Sequence, residues 1–372
     1  MSLSPRVASL VVLACSVWMT PGRALAQAVP EDDAPPEPTA RLDVDGELFA
    51  RYAHETAGDE DVRVFSIPRA RLGVDVGLDD HFGGRILVET VPSSAPGSLY
   101  GVDGDSLVLR AREVYGEAIS PPLVADFVVA GRFGLVPTLA ITPLERVWGR
   151  RVVAPSGVEG FGLSAPSDYG ATVGLVLPSK LGDVTVGAFN GEGFNRREEN
   201  SAKNVAARAF LRPLATVLPP EPGAEGLGLL FVVEDGAVGP TRSRADRYVG
   251  GLSFEHRWAA AGMEAALAHG VFGNGSQRAR TYGGWLRVGP AYGAELVARY
   301  EVFDPDYDTS GAKDQVTAWR AGAGWHAPFA PGAEEAFEVY ATYGRVAGGE
   351  LAEAADPSLP LAGMRIDLRM GF

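Results

Sequence analysis

The chain closes on Leu361-Ala-Gly-Met-Arg-Ile-Asp-Leu-Arg-Met-Gly-Phe372, and its polarity alternates residue by residue. Ala362, Met364, Ile366, Leu368, Met370 and Phe372 are apolar; Gly363, Arg365, Asp367, Arg369 and Gly371 are small or charged. A period of two predicts a β-strand with one apolar and one polar face. The same alternation recurs upstream. In 63–79, Ala70, Leu72, Val74, Val76 and Leu78 oppose Arg69, Arg71, Gly73, Asp75 and Gly77. In 41–52, Leu42, Val44, Leu48 and Tyr52 oppose Arg41, Asp43, Asp45, Glu47 and Arg51; in 291–303, Leu296, Ala298, Tyr300 and Val302 oppose Glu295, Val297, Arg299 and Glu301. Over 106–119 the charges fall on both parities, Arg110 and Arg112 on one and Glu113 and Glu117 on the other. A β-bulge would reconcile them.

The other end supplies the compartment. Arg6, an apolar run from Val7 to Trp18 and then Ala24-Leu25-Ala26 form a cleaved export signal over 1–26, with Gln27 as the expected mature start. The competing lipoprotein reading at Val12-Leu13-Ala14-Cys15 is disfavoured by the bulky Leu13 and the short apolar run. Residues 27–40 are acidic and Pro-rich and read as a periplasmic linker that cannot pack a core. Cys15 is the one cysteine, so cleavage at Ala26 excludes disulfides, thiolate metal sites and a Cys nucleophile. The mature sequence has no apolar run long enough for a membrane helix. An exported chain that crosses a membrane without helices must close its sheet, because open edges cannot sit in lipid. A last strand ending on an aromatic residue is also how bacterial outer-membrane barrels usually finish. The expected fold is therefore all-β, an antiparallel transmembrane β-barrel over 41–372.

Sixteen strands are predicted: 41–52, 63–79, 82–91, 106–119, 125–133, 168–177, 183–190, 203–212, 226–233, 246–258, 260–272, 280–288, 291–303, 315–326, 335–346 and 361–372; fourteen or eighteen also fit the pattern. Connectors after odd strands are mostly long, those after even strands mostly short, as in Asp79-Asp80-His81 and Gly289-Pro290. That rhythm matches long outer loops and short periplasmic turns, with both termini periplasmic. A soluble β-sandwich has no reason to keep it. The longest connector is 134–167. The net charge of −14 argues against nucleic acid as a partner.

Several stretches together resemble the phosphate-selective porin O and P family: Gly131-Arg-Phe-Gly-Leu-Val-Pro137, Glu145-Arg-Val-Trp148, Ala188-Phe-Asn-Gly-Glu-Gly-Phe-Asn195, Arg208-Ala-Phe-Leu-Arg-Pro213, Gly283-Gly-Trp-Leu-Arg-Val288, Arg299-Tyr-Glu-Val-Phe-Asp-Pro-Asp306 and the closing Phe372. The resemblance covers most of 41–372. It implies a sixteen-stranded, commonly trimeric porin whose third outer loop folds into the lumen as a constriction. The family's phosphate specialists carry an arginine ladder and lysine clusters. Arginine is abundant here, but the lysines are only Lys180, Lys203 and Lys313.

The polar strand faces place Arg69, Arg71, Arg85, Arg110, Arg112, Arg132, Arg208, Arg212, Arg257, Arg287, Arg299, Arg320, Arg365 and Arg369 in the lumen, since a lipid-facing charge near mid-bilayer costs about 2–4 kcal/mol. They either set up a field across the lumen that orients solutes or pair structurally with carboxylates such as Asp75, Glu89, Glu255, Glu295, Glu301 and Asp367. Within 134–167, Glu145, Arg146, Arg150 and Arg151 surround Trp148; they form either a selectivity constriction or the charged part of a lid over the outer mouth. Asp304, Asp306 and Asp308 invite a calcium reading, but Thr309 and Gln315 stand where an EF-hand needs Gly and Glu. A solvated acidic loop is favoured, with Glu55, Asp59, Glu60, Asp61 and Glu350 loosely holding divalent ions against surface glycolipid. His54, His81, His256, His269 and His326 form no catalytic or metal spacing, and Ser253 with His269 reads as a chance pair.

No catalytic, cofactor or metal residues are therefore assigned. The expected protein is an outer-membrane porin for passive diffusion of small hydrophilic solutes, with anions such as phosphate among them. Its expected partners are outer-membrane lipid and surface glycolipid, the barrel-assembly machinery that reads the last strand, and two further copies in a homotrimer. The alternatives are a structural or surface-interaction barrel with an occluded lumen, and a barrel enzyme.

Overall fold

The computed structural model describes residues 40–57, 60–93, 106–122, 126–150, 153–193, 201–215, 226–271, 274–290, 293–308, 314–328, 336–348 and 362–371. The export signal, the linker up to residue 39, Arg151 and Phe372 lie outside them. Sixteen antiparallel strands close into one barrel: β1 (Arg41–Ala57), β2 (Glu60–Gly77), β3 (Phe82–Ser93), β4 (Ser106–Ile119), β5 (Val128–Pro137), β6 (Ser167–Leu177), β7 (Gly182–Phe189), β8 (Asn204–Leu211), β9 (Gly226–Asp235), then β12 (Arg247–His256) to β18 (Ala362–Gly371). Between β9 and β12 a short ribbon, β10 (Ala237–Val238) with β11 (Ser243–Arg244), stands apart from the wall. The remaining wall strands are β13 (Ala259–Val271), β14 (Asn274–Val288), β15 (Gly293–Asp304), β16 (Val316–Pro328) and β17 (Ala336–Ala347). Closure is made by β1 on β18, in register from Glu47 opposite Gly371 to Thr56 opposite Ala362. No helix of the described residues is long and apolar enough to cross a membrane.

The faces are those of a barrel in lipid. Leu296 on β15 is 61% exposed, while its neighbours Glu295 and Val297 are 5% and 3% exposed. On β18, Met364 and Ile366 are exposed and Arg365 and Asp367 are buried. A soluble sheet would do the reverse; here the greasy residues point out and the charges point in. The bulge expected in β4 is present: Leu87 faces Glu113 while Val88 faces Ala111, which leaves Arg112 as the extra residue. Arg110, Arg112, Glu113 and Glu117 consequently all point inward. A second shift, between Phe49 and Arg51 of β1, sets Ile67 and Pro68 of β2 against the single residue Ala50; Pro68 has no N–H for the ladder, and a bulge accommodates it.

Two differences from the expected segmentation have a common cause. Residues 53–57 and 60–62 are strand, leaving only residues 58–59 between β1 and β2. Likewise β14 begins at Asn274, six residues earlier than the alternation had placed it. Above the lipid belt both faces of a strand meet water, so polarity no longer alternates although the ladder continues. At the opposite rim, the turn Asp79-Asp80-His81 is fixed by Asp79, whose Oδ1 accepts the N–H groups of His81 and Phe82, each at 2.7 Å. Those two donors hold the Asp79 carboxyl below its ordinary value.

Candidate functional site

The connector between β5 and β6 turns into the barrel. Its two ends are clasped where the Thr138 N–H donates to the Pro166 carbonyl at 3.1 Å. Helix α1 (Ile141–Trp148) follows, with Pro143 tolerated in the first turn. Gly149 ends the helix in the left-handed region, φ 62°, and its N–H donates back to the Glu145 carbonyl at 2.8 Å. Ile141, Leu144 and Trp148 recur at helical spacing and are buried; Arg146 occupies the exposed face. The one-turn helix α2 (Gly157–Gly160) is capped by Ser156, whose Oγ accepts the Glu159 N–H at 3.4 Å.

The barrel wall carries the matching surface. Trp148 meets Trp285 of β14 at 5.3 Å between centroids, and the Arg299 guanidinium of β15 sits 5.5 Å from the Trp148 ring. Phe161 stacks on Phe303 at 4.5 Å. These rings join Val153, Val158 and Leu163 in an apolar cluster inside the barrel, where each fully buried side chain contributes about 1.5–3 kcal/mol. Polar staples fix the register. Arg150 reaches Glu295 of β15 with two nitrogens, one at 3.1 Å, and Tyr340 of β17 donates its hydroxyl to the same carboxylate. Burial opposes the charge on Arg150, but the hydrogen bond to Glu295 and the proximity of Tyr340 and Glu338 outweigh it and hold the guanidinium above its ordinary value. The Gly157 N–H donates to Glu264 of β13 at 2.6 Å. A Cβ on Gly157 would lie 2.6 Å from a Glu301 oxygen and 3.1 Å from a Glu264 oxygen, so a larger residue there would have to push these carboxylates aside.

What the inserted segment leaves open is a cavity of about 370 Å³ between its edge, residues 153–161, and the wall of β1, β2 and β15–β18. Five arginines line it, Arg51, Arg69, Arg299, Arg320 and Arg365, against three carboxylates, Glu159, Glu301 and Asp367. Each carboxylate meets an arginine: Asp367 with Arg51 at 2.6 Å, Glu301 with Arg299 at 2.7 Å, and Glu159 with Arg69 at 3.8 Å. The lining keeps a formal excess of two positive charges.

Beside the cavity, the buried carboxylate of Glu89 draws in four guanidinium groups, Arg110 at 2.8 Å, Arg112 at 3.2 Å, Arg69 at 3.4 Å and Arg71 at 3.6 Å. The other inward arginines are also bound into the wall. Arg85 bridges Asp45, Asp75 and Glu113; Arg132 pairs Glu117 at 2.7 Å and lies over Tyr115; Arg208 pairs Asp183; Arg369 joins Glu47 to Glu338. Arg320 donates to Thr342 at 3.1 Å, and Arg212 lies over the ring of Phe210. Arg257, expected in the lumen, instead stands exposed in the turn between β12 and β13, over the ring of Trp258, because the strand ends at His256 before its alternation reaches that residue. Arg287 comes within reach of Gly149 at the end of α1.

Of the four charges singled out in the connector, Arg150 is a wall staple, Glu145 accepts the Ser156 N–H inside the segment, and Arg146 is exposed. The residues the sequence reading did not single out are the inward aromatics, Trp285, Phe303 and Tyr340, and Glu159 at the cavity; Arg51, placed on the polar face of 41–52, does line the cavity. Gly226-Leu-Gly-Leu-Leu-Phe-Val-Val233, apolar on both parities, was a usable signal: a strand apolar on both faces has something packed inside it. Ser253 pairs with Gly262, seven residues along β13 from His269, a separation of roughly 23 Å. Asp304 and Asp308 pair with Arg280 at 2.9 Å and Arg278 at 2.7 Å. Among the described residues no group of acidic, His or Cys side chains could hold a metal ion.

No protein-family model matches this sequence, and neither does any curated protein. Its structural neighbours are outer-membrane porins and channels. Salmonella typhi OmpF, in complex with daunomycin, matches with a TM-score of 0.60 at 11% identity over 89% of this chain and 97% of that one. The trimer form of OmpT, an outer membrane protein of Vibrio cholerae, gives 0.54 at 16% identity over 90% and 99%. An anion-selective porin from Comamonas acidovorans gives 0.52 at 12% identity over 90% and 100%. At these identities the likeness is one of fold, and it spans the whole barrel of each neighbour.

Proposed function

We propose that this chain is an outer-membrane porin, a water-filled channel through which small hydrophilic solutes diffuse passively. The carrying observation is the inserted segment: a barrel that served only as a surface structure would have no need of a stapled constriction beside a charged passage. The fold and its neighbours support an outer-membrane location. The excess of arginine around the passage supports a preference for anions, because a guanidinium in a narrow, poorly screened space attracts them more strongly than in bulk water. Phosphate as a permeant anion rests on the family resemblance alone. Assembly as a trimer rests on that resemblance and on the trimer form of Vibrio cholerae OmpT.

Within the segment, Arg150 and Glu145 act by holding its shape. Arg146, on the exposed side of α1, carries the charge that meets solute first. Planar bilayers containing purified protein test this. A stepwise conductance with a reversal potential displaced toward the anion side in a salt gradient is expected, and shortening 138–166 should enlarge the conductance. A sealed bilayer would overturn the porin reading, and a cation-side reversal potential would overturn the preference.

A further inference from the structure

The outward face of the barrel is not smooth. Across β12–β16 an open, apolar groove of about 900 Å³ crosses the wall. Its floor is Gly250, Ala265, Gly284, Ala298 and Ala321, and Tyr282, Tyr300 and Trp319 stand along its outer side, each partly exposed. A Cβ at Gly250 would meet nothing within 4 Å, so a side chain there would project into the groove without a clash.

The groove has a direction. Met263, Gly284, Tyr300, Trp319 and Arg345 stand opposite one another on β13 to β17. Met263 is the fifth residue of β13 and Arg345 the tenth of β17, and both strands run from the periplasmic rim outward. The row therefore climbs toward the outer leaflet, as the strand tilt of a barrel requires. Trp319 closes the upper end of the groove, and Arg345 is the next residue in the row.

Arg345 is exposed on the outward face of β17. Among the described residues of β16, β17 and β18 it is the one outward-facing charge, and no described side chain pairs with it. The rings of Trp319 and Tyr343 lie beside it, 5.6 Å apart between centroids. The outward arginines of β14 differ: Arg280 is held by Asp304 at 2.9 Å and Arg278 by Asp308 at 2.7 Å.

An arginine on the lipid side of a strand is tolerated at the membrane interface, where lipid phosphates satisfy it. The planar guanidinium matches a phosphate with two parallel hydrogen bonds. A flexible acyl chain follows a diagonal groove, which the convex, rigid wall of a second barrel fills poorly. In hydrocarbon one apolar surface replaces another, so the gain is dispersion, and a groove raises it by touching the chain on three sides.

Building on the outer-membrane location in the porin reading, we propose that the outward face of β12–β17 seats one phosphorylated, acylated glycolipid of the outer leaflet, of the lipid A type. Arg345 holds a phosphate, and an acyl chain lies along the groove.

The test titrates the purified, folded protein in detergent with lipid A, phosphatidylglycerol and phosphatidylethanolamine, and counts bound lipid by native mass spectrometry. Lipid A is expected to bind roughly fivefold tighter than either phospholipid. Arg345→Gln should weaken lipid A binding about fivefold, the worth of one basic side chain at an anionic headgroup. Gly250→Leu, which fills the groove, should weaken it about threefold. The heat-modifiable gel shift checks that each variant is folded. Unchanged lipid A binding in Arg345→Gln overturns the inference, as does phosphatidylglycerol that binds as tightly as lipid A. Unchanged binding in Gly250→Leu overturns the assignment of the groove. A crosslink between copies through Ala298→Cys in native membranes would make the groove a subunit interface and overturn the lipid seat. Conductance of the same preparations reads the channel separately, so a conducting protein that ignores lipid A fails this inference and leaves the porin reading standing.

Discussion

The pair Arg150–Glu295 decides whether the inserted segment stays where it is, and Arg150→Ala tests it. Both side chains are almost fully buried, and the guanidinium engages the carboxylate with two nitrogens. Removing one partner leaves Glu295 as a buried charge without its bidentate partner, held by the Tyr340 hydroxyl and the more distant Arg287. Breaking a buried pair in this way costs about 3–5 kcal/mol. The barrel is closed by sixteen ladders of backbone hydrogen bonds, so the loss falls on the segment and not on the wall. A shift of that size raises the population of the displaced segment by about 10² to 5 × 10³-fold. Limited proteolysis of the folded protein in detergent should therefore cut within 138–166 much faster than in the parent, while the heat-modifiable gel shift of the intact barrel persists. Single-channel records should show added open-state noise. The double variant Arg150→Met with Glu295→Leu should recover most of the protection, because neither charge is left unmatched. If Arg150→Ala resists protease like the parent, the aromatic contacts alone hold the segment and the staple is dispensable.

Three further outcomes are expected. Ile366→Arg places a charge on the lipid face of β18 and should lower barrel stability by about 2–4 kcal/mol if Ile366 sits near mid-bilayer, read as the urea midpoint in vesicles; an unchanged midpoint would mean that this face does not meet lipid. Glu89→Gln removes the carboxylate shared by four arginines, and a unit charge across roughly 10 Å of water shifts an anion and a cation by about 0.4 kcal/mol each in opposite directions, so the anion-to-cation permeability ratio should rise about fourfold; a fall would show that the cluster does not face the permeant ions. Mature protein isolated from the outer membrane should start at Gln27 on N-terminal sequencing, and an acylated Cys15 at the start would replace the export reading with a lipoprotein one.

The strands were legible because lipid imposes a rule on every residue. On β18, as over 69–77 of β2 and 294–301 of β15, a side chain at even parity faces outward and one at odd parity faces the lumen, so alternation marked the wall and called for a bulge within 106–119, while sixteen was one of three strand counts it allowed. The length of 134–167 also announced that this connector was unlike the others. Helix α1 was not legible: it is eight residues long and carries no side-chain cap, and its apolar face is defined only by the wall it leans on. The partners of Arg150 and Trp148 were equally hidden. Glu295 is 145 positions away from Arg150, and Trp285 stands on a strand whose alternation looks the same whether or not a ring is packed against it. Alternation tells which side of the wall a residue faces. Which inward residues border the remaining cavity depends on where a segment released from the sheet comes to rest. That position is set by contacts across the lumen, between residues whose separation along the chain carries no period.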